Sequence, residues 1–159
     1  MGELARSLDV KLAFDPMEVF PGNNEEHALT PEESRRLFGE IGQLKKRGYG
    51  VLNSHEYLGH FANRLDYSCA QPKVFIRVSE DGKVQPFWCS KASMTLGDLR
   101  RQSLGEILDS NPFREFSEVA SGCSSCVNSS TVEASIFYSA RHFLMNPYSY
   151  LRFILDYAI

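Results

Sequence analysis

The sequence predicts a short α/β segment followed by an α+β segment that contains a β-hairpin. In the first segment, apolar runs at residues 10–14 and 49–53 alternate with helix-start signals, which is typical of strand–helix–strand–helix order. In the second, residues 73–88 alternate apolar and polar side chains around Asp81-Gly82, which is typical of a hairpin. The chain of 159 residues, with 43% hydrophobic and 23% charged side chains, has the composition of a globular protein.

The α/β segment consists of two strand–helix pairs. Thr30 begins a capping box ahead of the first helix, and Ser54 is placed to cap the second. Strands that are joined through a helix run parallel, with a right-handed crossover. Two parallel strands cannot bury both faces of a sheet by themselves, so we expect residues 1–65 to be part of a larger fold.

The hairpin is predicted from residues 73–79 and 83–88, with a two-residue turn at Asp81-Gly82. Both turn positions tolerate a positive φ, as such a turn requires. Pro86 lacks a backbone N–H, so we expect the return strand to lie at the edge of the sheet.

Helices are predicted after the hairpin. Ser103 begins a second capping box, and Pro112 is placed in the first turn of another helix that ends at Gly122. Thr131 is predicted to cap a helix that runs to about Leu144.

Composition and charge exclude several classes of function. The net charge is −3 and there is no long basic run, so nucleic-acid binding has no electrostatic support. Neither a transmembrane segment nor the apolar core of a signal peptide is present, and we expect a cytoplasmic, reducing compartment with no membrane partner. In such a compartment the four cysteines are more typical of metal ligands or buried thiols than of disulfides.

The four cysteines are spaced as two pairs. Cys69 precedes the predicted hairpin and Cys89 follows it, and a turn at residues 81–82 would place Cys89 opposite Val74, at the end where Cys69 lies. Cys123 and Cys126 form a CxxC pair. The pattern predicts a closed site of four thiolates, with a zinc-stabilised Cys₄ interaction module and metal-free buried thiols as the alternatives.

These segments, in order, resemble the Twitch, or shortened SPASM, extension of radical S-adenosylmethionine (SAM) enzymes: Cys69, PKVFIRVSEDGKVQPFWC, LGDLRRQSLGEIL and CSSC. The resemblance implies one auxiliary [4Fe–4S] cluster bound by Cys69, Cys89, Cys123 and Cys126, for electron transfer or structural support. It also implies three parts, namely the end of a partial (β/α) barrel, a cluster-binding domain and C-terminal helices, at residues 1–65, 66–130 and 131–159.

The chain departs from that family in two places. No cysteine precedes Cys69, so the CxxxCxxC loop that holds the SAM-cleaving cluster is missing. We therefore expect the chain to be inactive alone, as a fragment or a split-enzyme subunit, with SAM bound only in a complete enzyme. The expected partners are an upstream barrel chain or a reductant protein, and neither substrate nor catalytic residues are predicted. Phe87 and Trp88 also separate Pro86 from Cys89, where relatives often place the cysteine directly after proline.

Three further residues each have two interpretations. Asp15 and Glu18 follow the first predicted strand, at the edge that carries the active site in barrel folds, so they line a substrate site or lie in a solvated loop. Trp88 either shields the cluster from water or packs in the core.

Overall fold

A computed structural model describes residues 2–19, 22–63, 66–89, 91–139, 143–144, 147–148, 151 and 154–155. The chain forms two compact units, each with its own hydrophobic core. One unit combines Met1–Tyr67 with Cys126–Ile159, and the other is Ser68–Ser125.

The described part of the chain contains helices and one small antiparallel sheet. The first half contains α1 (Gly2–Ser7), a 3₁₀ helix (Glu25–His27), α2 (Pro31–Lys46) and α3 (His55–Asn63). The second half contains α4 (Gln71–Val74), β1 (Arg77–Val78), β2 (Lys83–Gln85), β3 (Gly97–Asp98), α5 (Leu104–Leu108), α6 (Asn111–Ser121) and α7 (Ser129–Tyr138). No helix among the described residues is long and apolar enough to cross a membrane.

Local capping signals fix the starts of three helices. On α2, the Thr30 hydroxyl accepts the Glu33 N–H at 3.2 Å and the Glu33 carboxylate accepts the Thr30 N–H at 2.9 Å. Ser103 and Glu106 form the same capping box on α5, and the Ser54 hydroxyl accepts a backbone N–H of α3. The caps predicted at Thr30, Ser54 and Ser103 are confirmed, because each depends only on residues within one helical turn.

The two predicted parallel strands are reduced to one bridge. Leu12 pairs with Val51 in the parallel direction. The Leu12 N–H donates to the Gly50 carbonyl at 2.7 Å, and the Leu12 carbonyl accepts the Leu52 N–H at 2.8 Å. The predicted direction of pairing therefore holds at this bridge. Extended strands over residues 10–14 and 49–53 do not form, and the prediction of barrel units is not confirmed.

A side chain continues the pairing where the backbone stops. Asn53 is 1% exposed, and its amide accepts the Phe14 N–H at 2.7 Å and donates to the Phe14 carbonyl at 3.1 Å. Because one amide satisfies both backbone groups of Phe14, no further bridge is needed there. The core of this unit consists of Phe38, Ile41, Val51, Tyr57, Leu58, Ala62, Val132 and Ile136.

The hairpin turn contains one residue more than predicted. The Ser79 N–H donates to the Lys83 carbonyl at 2.9 Å, so three residues, 80–82, form the loop. Of these, Gly82 alone has a positive φ, of 76°. A glycine in the left-handed region at the end of a three-residue loop is a common hairpin solution. The pairing shifts by one residue, with Val78 opposite Val84.

The strands of the sheet are shorter than predicted, and the sheet contains a third strand. Residues 73–74 lie in α4, and β2 ends at Gln85. The prediction that β2 is an edge strand is wrong, because β3 pairs with its other side and the strand order is β1-β2-β3. Pro86 lies buried just past the last paired residue, where its missing N–H costs no ladder bond.

A partly buried ion pair and close packing hold β3 in place. Asp98 lies opposite Lys83 on β2, and its carboxylate accepts the Lys83 ammonium at 2.8 Å. The hydrogen bond from Lys83, with backbone and side-chain bonds from Arg100, holds the pKa of Asp98 well below its usual range. The core of this unit consists of Val84, Ala92, Leu96, Ile107, Phe116 and Ala120.

The helix after the cysteines differs from the prediction at both ends. It ends at Tyr138, followed by an extended Ser139, whereas we predicted a helix to about Leu144. Gly122 follows α6 as its C-cap, as predicted. The N-cap of α7 is Asn128, whose side chain accepts the Thr131 N–H at 3.3 Å, so Thr131 lies within the first turn instead of capping it. Much of the predicted continuation within residues 131–159 lies outside the described residues.

We expect Gly97→Ala to destabilise the fold. A Cβ at this position would lie 2.5 Å from Cγ1 of Ile107, a side chain that is 0% exposed. Overpacking of this kind costs about 1–3 kcal/mol in the free energy of unfolding. Urea denaturation followed by circular dichroism measures it.

Gly42→Ala is the matched control, because a Cβ there meets no atom within 4 Å and Gly42 lies in α2. That change should stabilise the chain by about 0.5–1 kcal/mol. Equal stability of Gly97→Ala and wild type would contradict the packing described for β3.

Candidate metal site

The four cysteines predicted as ligands all lie in the described part of the chain. Each is half-buried, and none of them forms a disulfide. Cys69, Cys89 and Cys123 belong to the unit Ser68–Ser125, and Cys126 begins the C-terminal segment of the other unit. Half-buried thiols that are not oxidised to disulfides are the donor type that iron–sulfur and zinc sites require.

Backbone hydrogen bonding brings Cys69 beside Cys123. The Cys69 N–H donates to the Cys123 carbonyl at 3.0 Å. One residue earlier, the Ser68 hydroxyl donates to the Ser121 carbonyl at 2.7 Å. These two bonds fix the segment before α4 alongside the end of α6, so the first and third cysteines lie on neighbouring stretches of backbone.

Cys69 and Cys89 share one hydrophobic surface. Both side chains pack against the core that contains Val84 and Leu96. The predicted placement of Cys89 opposite Val74 is wrong, because Val74 lies in α4 and β2 ends before Cys89. Both cysteines are therefore held by packing against a common core. The sequence analysis had predicted that strand pairing would bring them together.

The CxxC segment begins directly after α6. The Cys123 N–H donates to the Ala120 carbonyl at 2.9 Å, which continues the helical turn into the motif. The Cys123 Sγ lies 3.6 Å from the Ser125 Oγ, within hydrogen-bond reach of a sulfur. Hydrogen bonds to cysteine sulfurs are one of the factors that set the reduction potential of an iron–sulfur cluster.

Tyr67 holds the backbone of Cys126. The Cys126 N–H donates to the Tyr67 hydroxyl at 2.9 Å. The His60 ring packs edge-on against the Tyr67 ring, with the centroids 5.0 Å apart. Cys126 itself packs against the core around Tyr57 and Leu58. Tyr67 was not singled out from the sequence, since nothing in its neighbours signals a partner 59 positions away.

Asp15 and Tyr57 fix the residues that follow Cys126. The Tyr57 hydroxyl lies 2.6 Å from Asp15 Oδ1 and 2.8 Å from the Val127 carbonyl. Asp15 also accepts the Ser129 N–H at 2.9 Å and the Ser129 hydroxyl at 3.2 Å. Burial, and next the hydrogen bond to Asp15, raise the pKa of Tyr57 far above its ordinary value, so this hydroxyl stays a donor.

Asp15 thus has a structural role that the sequence did not indicate. Its carboxylate lies at the N-terminus of α7, where a negative charge is favourable. For Glu18, the backbone carbonyl accepts the Asn24 side-chain amide at 2.9 Å. The two residues singled out together therefore differ in what their side chains contribute to the fold.

Trp88 lies at the surface. Its side chain is 63% exposed, so the interpretation as a core residue is wrong. The Arg77 guanidinium lies 4.8 Å from the centroid of the Trp88 ring.

The cysteines fit a metal site by donor type and burial. Within the part of the chain that the structure describes, no group of three or more His, Cys, Asp or Glu side chains is arranged to hold a metal ion. In cysteine sites, assembly of the ligands is coupled to metal binding, so their final geometry depends on the metal. The donor set itself, four thiols, is the one a Cys₄ cluster requires.

We expect Asp15→Ala to lower the free energy of unfolding by about 1–2 kcal/mol, because the first N–H of α7 loses its acceptor. Glu18→Ala, the control, should change it by less than about 0.5 kcal/mol. Chemical denaturation of both variants measures this difference. Equal effects would show that the bonds from Asp15 to Ser129 and Tyr57 do not contribute.

Comparison with known families favours iron–sulfur binding over the zinc alternative. Residues 69–127 match the SPASM family model, described as an iron-sulfur cluster-binding domain. The match begins at Cys69 and ends one residue after Cys126, so it includes all four cysteines. No significant match to the chain was found among curated proteins or solved structures. The match indicates iron–sulfur binding and does not favour zinc, and it shows that residues 69–127 are similar to the SPASM iron–sulfur cluster-binding domain.

Proposed function

We propose that the chain binds one auxiliary [4Fe–4S] cluster through Cys69, Cys89, Cys123 and Cys126, as the C-terminal region of a radical SAM oxidoreductase or maturase. The observation that carries the proposal is the SPASM match, which spans all four cysteines. A cubane with four protein ligands needs four thiolates, and the sequence contains four cysteines, so none is left over.

The surroundings of the cysteines support this assignment. Cys69 and Cys89 pack against a core whose central residues, Val84 and Ile107, are 0% exposed. An apolar surface next to two thiolates excludes water from that side, and it lowers the local dielectric constant. Both effects influence the reduction potential of an iron–sulfur site.

Four thiolate ligands favour electron transfer or structural support as the role. A bound [4Fe–4S] group supplies one-electron transfer, and its four ligands tie together separate stretches of the chain. When every iron has a protein thiolate, no iron is open to a substrate. Direct coordination of the substrate is therefore disfavoured.

The radical SAM context rests on the family resemblance. The parallel bridge between Leu12 and Val51 has the strand direction expected of adjacent units in a (β/α) barrel. No cysteine precedes Cys69, so the residues that cleave SAM would belong to a complete enzyme or to a partner chain. A reductant protein is the second partner that an electron-transfer role requires.

We expect anaerobic reconstitution to load about four irons and four sulfides per chain. The protein should then be brown, with broad visible absorption that bleaches on reduction. Iron, sulfide and zinc analysis of the same sample measures the stoichiometry. Stoichiometric zinc without sulfide would overturn the proposal and favour the zinc-stabilised module.

Single substitutions of the four cysteines by alanine identify the ligands. Each should release iron to a chelator at least about tenfold faster than wild type, because each opens one iron. Ser124→Ala, which lies between two of the cysteines, is the matched control and should behave as wild type. A cysteine whose loss leaves a normal cluster is not a ligand.

A further inference from the structure

The backbone immediately before Cys89 has an unusual conformation. Trp88 has a φ of 45°, and among the described residues only Trp88 and Asp9 combine a positive φ with a side chain other than glycine. A bulky residue in this left-handed region is strained and persists only where its surroundings hold it there. The strain lies one residue before a proposed cluster ligand.

Neighbouring contacts hold this conformation from both sides. The Gln71 side-chain amide, on a residue that is 3% exposed, donates to the Phe87 carbonyl. The Phe87 ring packs on the Phe75 ring, with the centroids 5.6 Å apart. The Arg77 guanidinium lies over the Trp88 ring. Because the Trp88 ring itself is 63% exposed, its burial does not explain why the backbone adopts a positive φ.

The strained residue redirects the chain toward the core. β2 ends at Gln85, and three residues separate its end from Cys89. Within that distance the chain must leave the direction of the strand, since Cys89 packs against the core around Val84. A residue in the left-handed region produces such a change of direction at a single position.

We propose that Trp88 is a positioning residue, whose left-handed backbone, held by Gln71 and Arg77, directs the Cys89 thiolate to the cluster. This inference rests on the proposed function. The turn at Trp88 returns Cys89 to the core that Cys69 also contacts.

Four substitutions at one position separate backbone conformation from side-chain contact. Glycine and asparagine adopt a positive φ readily. Alanine and valine, like tryptophan, do not, and they also lack the ring that contacts Arg77 and helps to hold this backbone. We expect Trp88→Gly and Trp88→Asn to keep a cluster that a chelator removes within about twofold of the wild-type rate, and Trp88→Ala and Trp88→Val to lose it on the order of tenfold faster. The loss of visible absorption from each anaerobically reconstituted full chain gives the rate.

The controls separate this inference from the proposed function and from misfolding. Far-UV circular dichroism of each chain before reconstitution tests folding, and if Trp88→Val does not fold, Trp88→Ala against Trp88→Gly decides the same question. Equal rates for all variants, or a glycine variant as labile as the alanine one, would overturn the inference while the wild-type cluster still supports the proposed function. A wild-type chain without iron and sulfide would overturn both.

Discussion

Packing against one small hydrophobic core is the constraint on which the unit Ser68–Ser125 depends. Its strands are two, three and two residues long, and strands of this length do not form a stable sheet by themselves. Val84 on β2 and Ile107 on α5 are both fully buried and join sheet to helix. Gly97 allows Ile107 to approach the backbone of β3 closely. Since Cys69 and Cys89 pack on the same core, the contacts that stabilise the sheet also place two of the thiols.

A bound metal commonly adds stability to a unit of this size. Small domains bury a low fraction of their surface and commonly need disulfides, metals or other cross-links for stability. The three cysteines of this unit form no disulfide, and metal binding by their thiolates would supply such a cross-link. A role in stability and a role in electron transfer therefore do not exclude each other. The polar contacts of Tyr67, Tyr57 and Asp15 show how the N-terminal part of the chain fixes the residues from Cys126 to Ser129.

Features set by neighbouring residues were predictable from the sequence, and features set by distant residues were not. The capping boxes at Thr30 and Ser103 depend on residues within one turn, and the structure has both. The hairpin existed as predicted, but its register shifted because the loop closes at Ser79 and Lys83. The sequence did not predict β3, because a strand of two residues, Gly97 and Asp98, is too short to show alternation of apolar and polar side chains.

The candidate site divides in the same way. The four cysteines were selected as ligands from their number and spacing, and their role as ligands stays a prediction. The residues that hold the backbone around Cys126 could not be predicted from the sequence. Asp15 and Tyr67 bind partners that lie 114 and 59 positions away. The positive φ of Trp88 has no sequence signal either, because tryptophan is not a residue that favours that conformation.

Anomalous diffraction at the iron edge, from crystals of the anaerobically reconstituted chain, tests the central claim most directly. The account predicts one compact cluster of iron peaks, with the Sγ atoms of Cys69, Cys89, Cys123 and Cys126 each bonded to one iron. Iron bonded to a different set of side chains, or a single zinc in place of the cluster, would contradict it.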